Sequence, residues 1–218
     1  MAGLPLLDKQ TMRELIFATN NKHKLEEVSR LLQGSVKVIS LAEAGLEGEI
    51  PETAETLQGN ALQKAQWVWE RTGKDCFADD TGLEVDALGG APGVHAARYA
   101  ADIARRDGLP VPPDHDFSAN IDALLRELEK HPGEPRTARF RSVVTLIIDG
   151  QEHFFEGTLE GSIAFARSGS GGFGYDPVFI ADDYPGVSVA ELPEDVKNAI
   201  SHRGKALRLM ARWLQERE

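Results

Sequence analysis

Cysteine is almost absent: Cys76 is the single one in 218 residues, so an intrachain disulfide is impossible and a thiolate zinc site finds no support. Long apolar runs are missing as well, none approaching the roughly 18 residues that a membrane helix needs. The first eleven residues lack the charged start and apolar centre of a secretory signal. These absences predict a cytoplasmic protein with no membrane partner. Positive charge is scarce, with 24 Lys and Arg against 35 Asp and Glu, a formal net charge of -11. Binding a nucleic-acid polymer leans on clustered Lys and Arg, so that partner is excluded, while small phosphates stay possible wherever cations concentrate. Two phosphate-binding signatures are also lacking, Gly-x-x-x-x-Gly-Lys-Ser/Thr and Gly-x-Gly-x-x-Gly, which removes support for a P-loop ATPase or a Rossmann dinucleotide domain. There is no internal repeat and no low-complexity segment.

What is present is an ordinary globular composition, 41% hydrophobic and 27% charged, enough to bury a sizeable core. Residues 1–11 are expected to be a flexible N-terminal extension, with residues 12–218 forming the domain. Leu15-Ile16-Phe17-Ala18 reads as a short buried strand, and Thr19-Asn20-Asn21-Lys22-His23-Lys24 as the polar turn that follows. Leu25, Val28, Leu31 and Leu32 then recur at helical spacing, so the turn is a strand-to-helix junction. Val36–Ile39 reads as a strand, 57–71 as a helix, and Cys76-Phe77-Ala78 as a strand ending in Asp79-Asp80. A further strand is expected over Leu83–Ala87, and Gly89-Gly90-Ala91-Pro92-Gly93 as a loop. The stretch around Asp102, Arg105 and Arg106 looks solvated, and Ile121, Leu124, Leu125 and Leu128 mark a helix. Val143–Ile148 and His153–Leu159, joined by Asp149-Gly150, predict a hairpin that Ile163 and Phe165 extend. Pro193 opens a helix, and Ala206, Leu207, Met210 and Leu214 make a closing amphipathic one. Strands interleaved with helices, then a hairpin, predict an α/β fold on a mixed sheet.

Four polar segments sit where ligands gather in such folds. At Thr19–Lys24, helix-start N–H groups, Asn donors and lysines suit a phosphate, though a capped turn with solvated lysines explains the same residues. Asp79 and Asp80 point to opposite sides if extended, one for structure and one for a cleft. Hard cations bind through one or two carboxylates plus substrate phosphates, and Glu52 and Glu55 could complete such a set, against the plainer reading of a capping turn. In Ser170–Pro177 the glycines allow close backbone approach, and Phe173 or Tyr175 could stack on a base. Downstream, Lys197, His202 and Arg203 can neutralise phosphate or donate to a carbonyl.

These segments in this order resemble the inosine triphosphate pyrophosphatase family, whose members act on non-standard purine triphosphates. The matching pieces are Ala18–Lys24, Glu52-Thr53 with Asn60-Ala61, Ala78–Leu83, Gly89–Gly93, Gly171–Pro177 and Ser201–Gly204. The resemblance implies one α/β domain of two lobes around a long mixed sheet, a nucleotide in the cleft between them, and a homodimer. It implies hydrolysis of ITP, dITP and XTP between the α and β phosphorus atoms, with Mg2+ as cofactor. It assigns the metal to Glu52 and Asp80, makes Asp80 also the proton acceptor, and gives Lys24 the triphosphate. Thr19, Asn20, Asn21, Lys22, His23 and Thr81 would share substrate binding with Phe173, Gly174, Tyr175, Asp176, Lys197, His202 and Arg203. This chain departs from the family pattern at Asn20 and Ala54, where Gly is common, and at Gly59, where Glu is frequent; the last removes a supporting carboxylate. A pyrimidine triphosphate pyrophosphatase and a non-catalytic nucleotide-binding module are the competing readings.

Overall fold

The computed structural model describes residues 12–217, so the expected N-terminal extension lies outside the described residues. The elements in order are β1 (Glu14–Phe17), α1 (Lys22–Leu31), β2 (Lys37–Ile39), α2 (Leu57–Thr72), β3 (Cys76–Val85), β4 (Pro92–Gly93) and α3 (Tyr99–Asp107). They continue with α4 (Phe117–Glu129), β5 (Thr137–Ile148), β6 (Gln151–Ile163), β7 (Phe179–Ala181), α5 (Glu194–Ile200) and α6 (His202–Gln215). Six strands form an open mixed sheet in the order β2-β1-β3-β5-β6-β7, with β4 added to the far end of β3. The β1 contacts are parallel and the rest antiparallel, as the α/β reading with a late hairpin predicted.

Period-two alternation decides which helix covers which face. Phe17, Phe77, Val144 and Leu146 pack under α1 and α6, against Val28, Leu207 and Met210. Ile16, Cys76, Ala78 and Ile147 face the other way onto Ala65 and Val68 of α2. Beyond the middle of the sheet, a separate core joins Leu83, Phe140, Leu159 and Phe179 to Tyr99 and Ile103 of α3 and Leu124 of α4. The chain between β5 and β6 turns on Asp149 and Gly150, both at positive φ (50° and 74°), which matches the right-handed twist of a tight hairpin.

Four expectations need correcting. The strand at Cys76 does not end at the aspartates but runs ten residues to Val85, because β5 pairs with it throughout. The stretch around Asp102 is helix α3: its charges line one side while Tyr99, Ala100, Ile103 and Ala104 bury the other, a periodicity that short alanines hide. The glycine-rich segment is not loop alone, since Pro92 and Gly93 pair with Glu84 and Leu83. Gly82 is needed there, because a Cβ would strike the Gly93 carbonyl. The hairpin's second strand ends at Ile163, leaving Phe165 exposed under the Arg136 guanidinium at 4.3 Å.

This pairing opens the site. One edge of β3 pairs with β1 at Cys76 and Phe77 and with β4 at Leu83 and Glu84. Between those contacts the edge carries no strand partner, and a cleft opens there.

Candidate active site

Asp79 and Asp80 lie on that unpaired stretch, and extended backbone sends them to opposite faces. Asp79 points toward α1 and α6, where its carboxylate meets Lys24 Nζ at 3.2 Å and Arg203 Nε at 2.9 Å. Only 2% of its side chain is exposed. Burial alone would raise its pKa, but Lys24 and Arg203 outweigh it and hold the carboxyl well below the ordinary value. Asp80 points to α2, where Lys64 Nζ approaches its Oδ1 at 3.2 Å and Asn60 Nδ2 donates to its Oδ2 at 3.2 Å. Its side chain is 13% exposed, so this carboxylate is the one of the pair that a ligand can reach. Burial pushes the Asp80 carboxyl up, against the pull of Lys64.

Lys64 is the residue that sequence reading missed. It sits on the buried face of α2, and its ammonium also contacts Glu52 Oε1 at 2.6 Å. Burial works against its charge, yet Asp80, Asp79 and Glu52 hold its pKa above the ordinary lysine value. The signal available was a lysine flanked by Ala61, Ala65 and Val68 on an apolar stripe: a cation so placed needs a carboxylate partner. The next residue, Thr53, is tied to α2, where Gln63 accepts from Thr53 N–H at 2.9 Å and donates to Thr53 Oγ1 at 2.9 Å. Glu55 lines neither cavity of the cleft. Among the described residues no cluster of three His, Cys, Asp or Glu could enclose a metal.

The junction after β1 is a tied turn. Thr19 Oγ1 accepts from Asn21 N–H, Asn20 Nδ2 donates to the Gly48 carbonyl, and the Asn21 side chain caps α1 by accepting from Lys24 N–H at 3.1 Å. The expected polar turn therefore ends at Asn21, and Lys22 to Lys24 form the first turn of α1. Thr19, Asn20, Asn21, Lys24 and Thr81 line a cleft of about 500 Å³ that also holds Glu52, Lys64 and both aspartates. His23 lines an adjoining cavity of about 640 Å³, whereas Lys22 lines neither.

The two cavities meet at Phe140, Phe173, Asp176 and His202. Phe173 is 66% exposed and meets Phe117 edge-on with centroids 4.3 Å apart. Tyr175 cannot be the stacking platform: it is core, and its hydroxyl donates to the Ala96 carbonyl at 2.8 Å. Gly174 lines the cleft beside it. Asp176 accepts from Phe173 N–H at 2.9 Å, fixing the loop, and burial raises its pKa. Lys197, on α5, lines the outer cavity and has no ion-pair partner among the described residues.

His202 is not a cation. Its ring stacks on Phe140 at 5.0 Å with Nδ1 buried and unpartnered, and burial with the neighbouring Arg203 charge brings its pKa down to about 3. α6 can start this close because Gly157 of β6 has no Cβ to strike the His202 carbonyl. Arg203 is committed as well, reaching Asp79 and, through Nη1, Glu27 at 2.7 Å. The guanidinium lines the cleft while these two carboxylates hold it in place.

A family model, the Ham1 family, matches residues 15–213. The chain belongs to the Ham1 family. All six segments that carry the resemblance lie within the matched stretch. Similar proteins include the dITP/XTP pyrophosphatase of Porphyromonas gingivalis, 53% identical over 90% of this chain and 94% of the relative. The dITP/XTP pyrophosphatase of Bacillus subtilis is 43% identical over 94% of this chain and 98% of its own length. Among solved structures, a HAM1 protein from Coxiella burnetii superposes with a TM-score of 0.83 at 35% identity, covering 94% of this chain and all of that one.

The family departures at Ala54 and Gly59 form one steric pair. A Cβ at Gly59 would lie 2.7 Å from the Ala54 methyl, so each residue suits the other. Gly59→Glu alone is expected to destabilise the fold by roughly 1–3 kcal/mol, with Ala54→Gly restoring most of the loss. Thermal midpoints of the two single variants and the double variant check this.

Proposed function

We propose that this Ham1-family chain is a nucleoside triphosphate pyrophosphatase that converts ITP, dITP and XTP to the monophosphate and pyrophosphate, clearing them from the nucleotide pool. One observation carries the reading: Glu52 and Asp80, from separate stretches, converge on a single ammonium inside the cleft that the Asn21-capped helix start and Lys24 also line. Relatives of this size that are named dITP/XTP pyrophosphatases support it.

The triphosphate lies along the first turn of α1, whose N–H groups and Lys24 offset its charge. The ammonium of Lys64 fixes Asp80 and adds a second cation on the other side. Glu52 and Asp80 suit Mg2+: two hard carboxylates meeting at one point match a metal that takes one or two carboxylates plus substrate phosphates. When bound, Mg2+ supplies charge neutralisation on phosphate oxygens and lowers the pKa of water. Asp80 orients the attacking water and takes its proton. The water oxygen replaces the α–β bridging oxygen on one phosphorus, and that bridging oxygen leaves with the other phosphate fragment. Positioning and charge supply most of the acceleration.

The base occupies the region where the cavities join, against the exposed Phe173. With Arg203 engaged, Lys197 and backbone N–H groups are the donors for a 6-oxo group, which leaves adenine's amino group facing donors. Pyrophosphate release from ITP, XTP, GTP and ATP tests this. We expect ITP and XTP turnover with Mg2+, ATP slower by about 10²-fold or more, and loss of turnover in EDTA. Equal use of ATP contradicts the base assignment.

We further place the enzyme in the cytoplasm as a homodimer. Among the described residues no helix is long and apolar enough to cross a membrane. Light scattering gives the oligomeric state.

A further inference from the structure

Resting on the triphosphate reading above, we propose that His115 contacts the sugar hydroxyls of the bound nucleotide. Four observations carry this assignment. His115 lines the same cavity as Lys64, Asp80 and Thr81. Its backbone is left-handed at φ 64°, a conformation that L side chains adopt at a cost and that gathers where function needs it. The surroundings enforce it: His115 N–H donates to the Ala97 carbonyl at 2.8 Å, and the next residue, Asp116, caps α4 by accepting from Ala119 N–H at 2.9 Å. Finally, the ring makes no hydrogen bond among the described residues, so its nitrogens remain available.

The position selects the sugar over the other parts of a nucleotide. His115 meets Phe117 edge-on at 6.3 Å, and Phe117 meets Phe173 at 4.3 Å, so a short aromatic series links the imidazole to the base platform. Lys24, Lys64 and Asp80, the proposed phosphate end, line the same cleft. The stretch between base and phosphates is where a sugar lies, and an imidazole offers both donor and acceptor to a hydroxyl. Pro110, Pro112 and Pro113 stiffen the loop between α3 and α4 that presents the ring, which lowers the entropy lost on contact.

His115→Gly separates this role from a structural one, because glycine accepts the left-handed backbone while losing the ring. We expect a thermal midpoint no lower than wild type, kcat for ITP near wild type, and KM for ITP raised about fivefold, the worth of one hydrogen bond. For 2′,3′-dideoxy-ITP the variant and wild type should share one KM. An unchanged KM for ITP, or the same loss with the dideoxy nucleotide, overturns the assignment. Wild-type release of pyrophosphate from ITP is measured alongside. Its absence would defeat the functional reading, and calorimetric titration of both proteins with the two nucleotides then decides the sugar contact independently.

Discussion

Asp80→Asn is expected to lower kcat for ITP by about 10³-fold while nucleotide affinity changes only a few-fold. The substitution keeps the shape of the side chain and its contact with Asn60, so the cleft should stay assembled. Lys64 retains Glu52 as a partner at 2.6 Å, which limits the damage to the ion network. What disappears is a basic oxygen on the more exposed of the two adjacent aspartates that line the cleft. Stopped-flow kinetics with calorimetric binding separates these terms. Near-normal turnover would remove Asp80 from the proton-accepting role, whereas weak binding with normal kcat would make it a binding group only.

Asp79→Ala should act on stability, by about 3 kcal/mol, because it leaves Lys24 and Arg203 in a buried site without the carboxylate between them. For a chain of this length the thermal midpoint should fall by about 10 °C. Activity should fall too, since the position of Lys24 depends on Asp79. The same carboxylate sets an acid limit. Its folded pKa is depressed, so the stabilisation is complete above the unfolded value near 3.8 and is lost as pH drops below it toward the folded value. Asp80, whose pKa is raised by burial, contributes with the opposite sign. The pH dependence specific to Asp79 is therefore the difference between wild type and variant: their midpoints should converge as pH falls below about 4. A constant gap from pH 7 to pH 3 would contradict the linkage.

Much of the fold was legible because the patterns that announce it are local. The Asp149-Gly150 turn, the helix over Leu57–Thr72 and the closing amphipathic helix each declare themselves within a dozen residues. Helix α3 escaped because its buried side is mostly alanine, which carries little hydrophobic signal between arginines and aspartates. The extent of β3 escaped for a different reason: Asp79 and Asp80 look like a strand end, and only their ion pairs make them tolerable inside one.

The site divides in the same way. Glu52, Asp80, Lys24 and the Thr19–Asn21 turn line one cleft. Lys64 could be found only by asking what balances a lysine on an apolar helix face. The engagement of Arg203 with Asp79 and Glu27, and the neutral state of His202 against Phe140, depend on tertiary contacts that no local spacing encodes. Phe173 and Tyr175 are equal stacking candidates by sequence, and burial separates the two.

The most direct test of the account is to incubate the protein with ITP and Mg2+ and identify the products by phosphorus NMR. IMP with pyrophosphate is the predicted outcome. IDP with orthophosphate would place the cleavage at the wrong bond and contradict the proposed alignment of the triphosphate against Asp80 and Lys24.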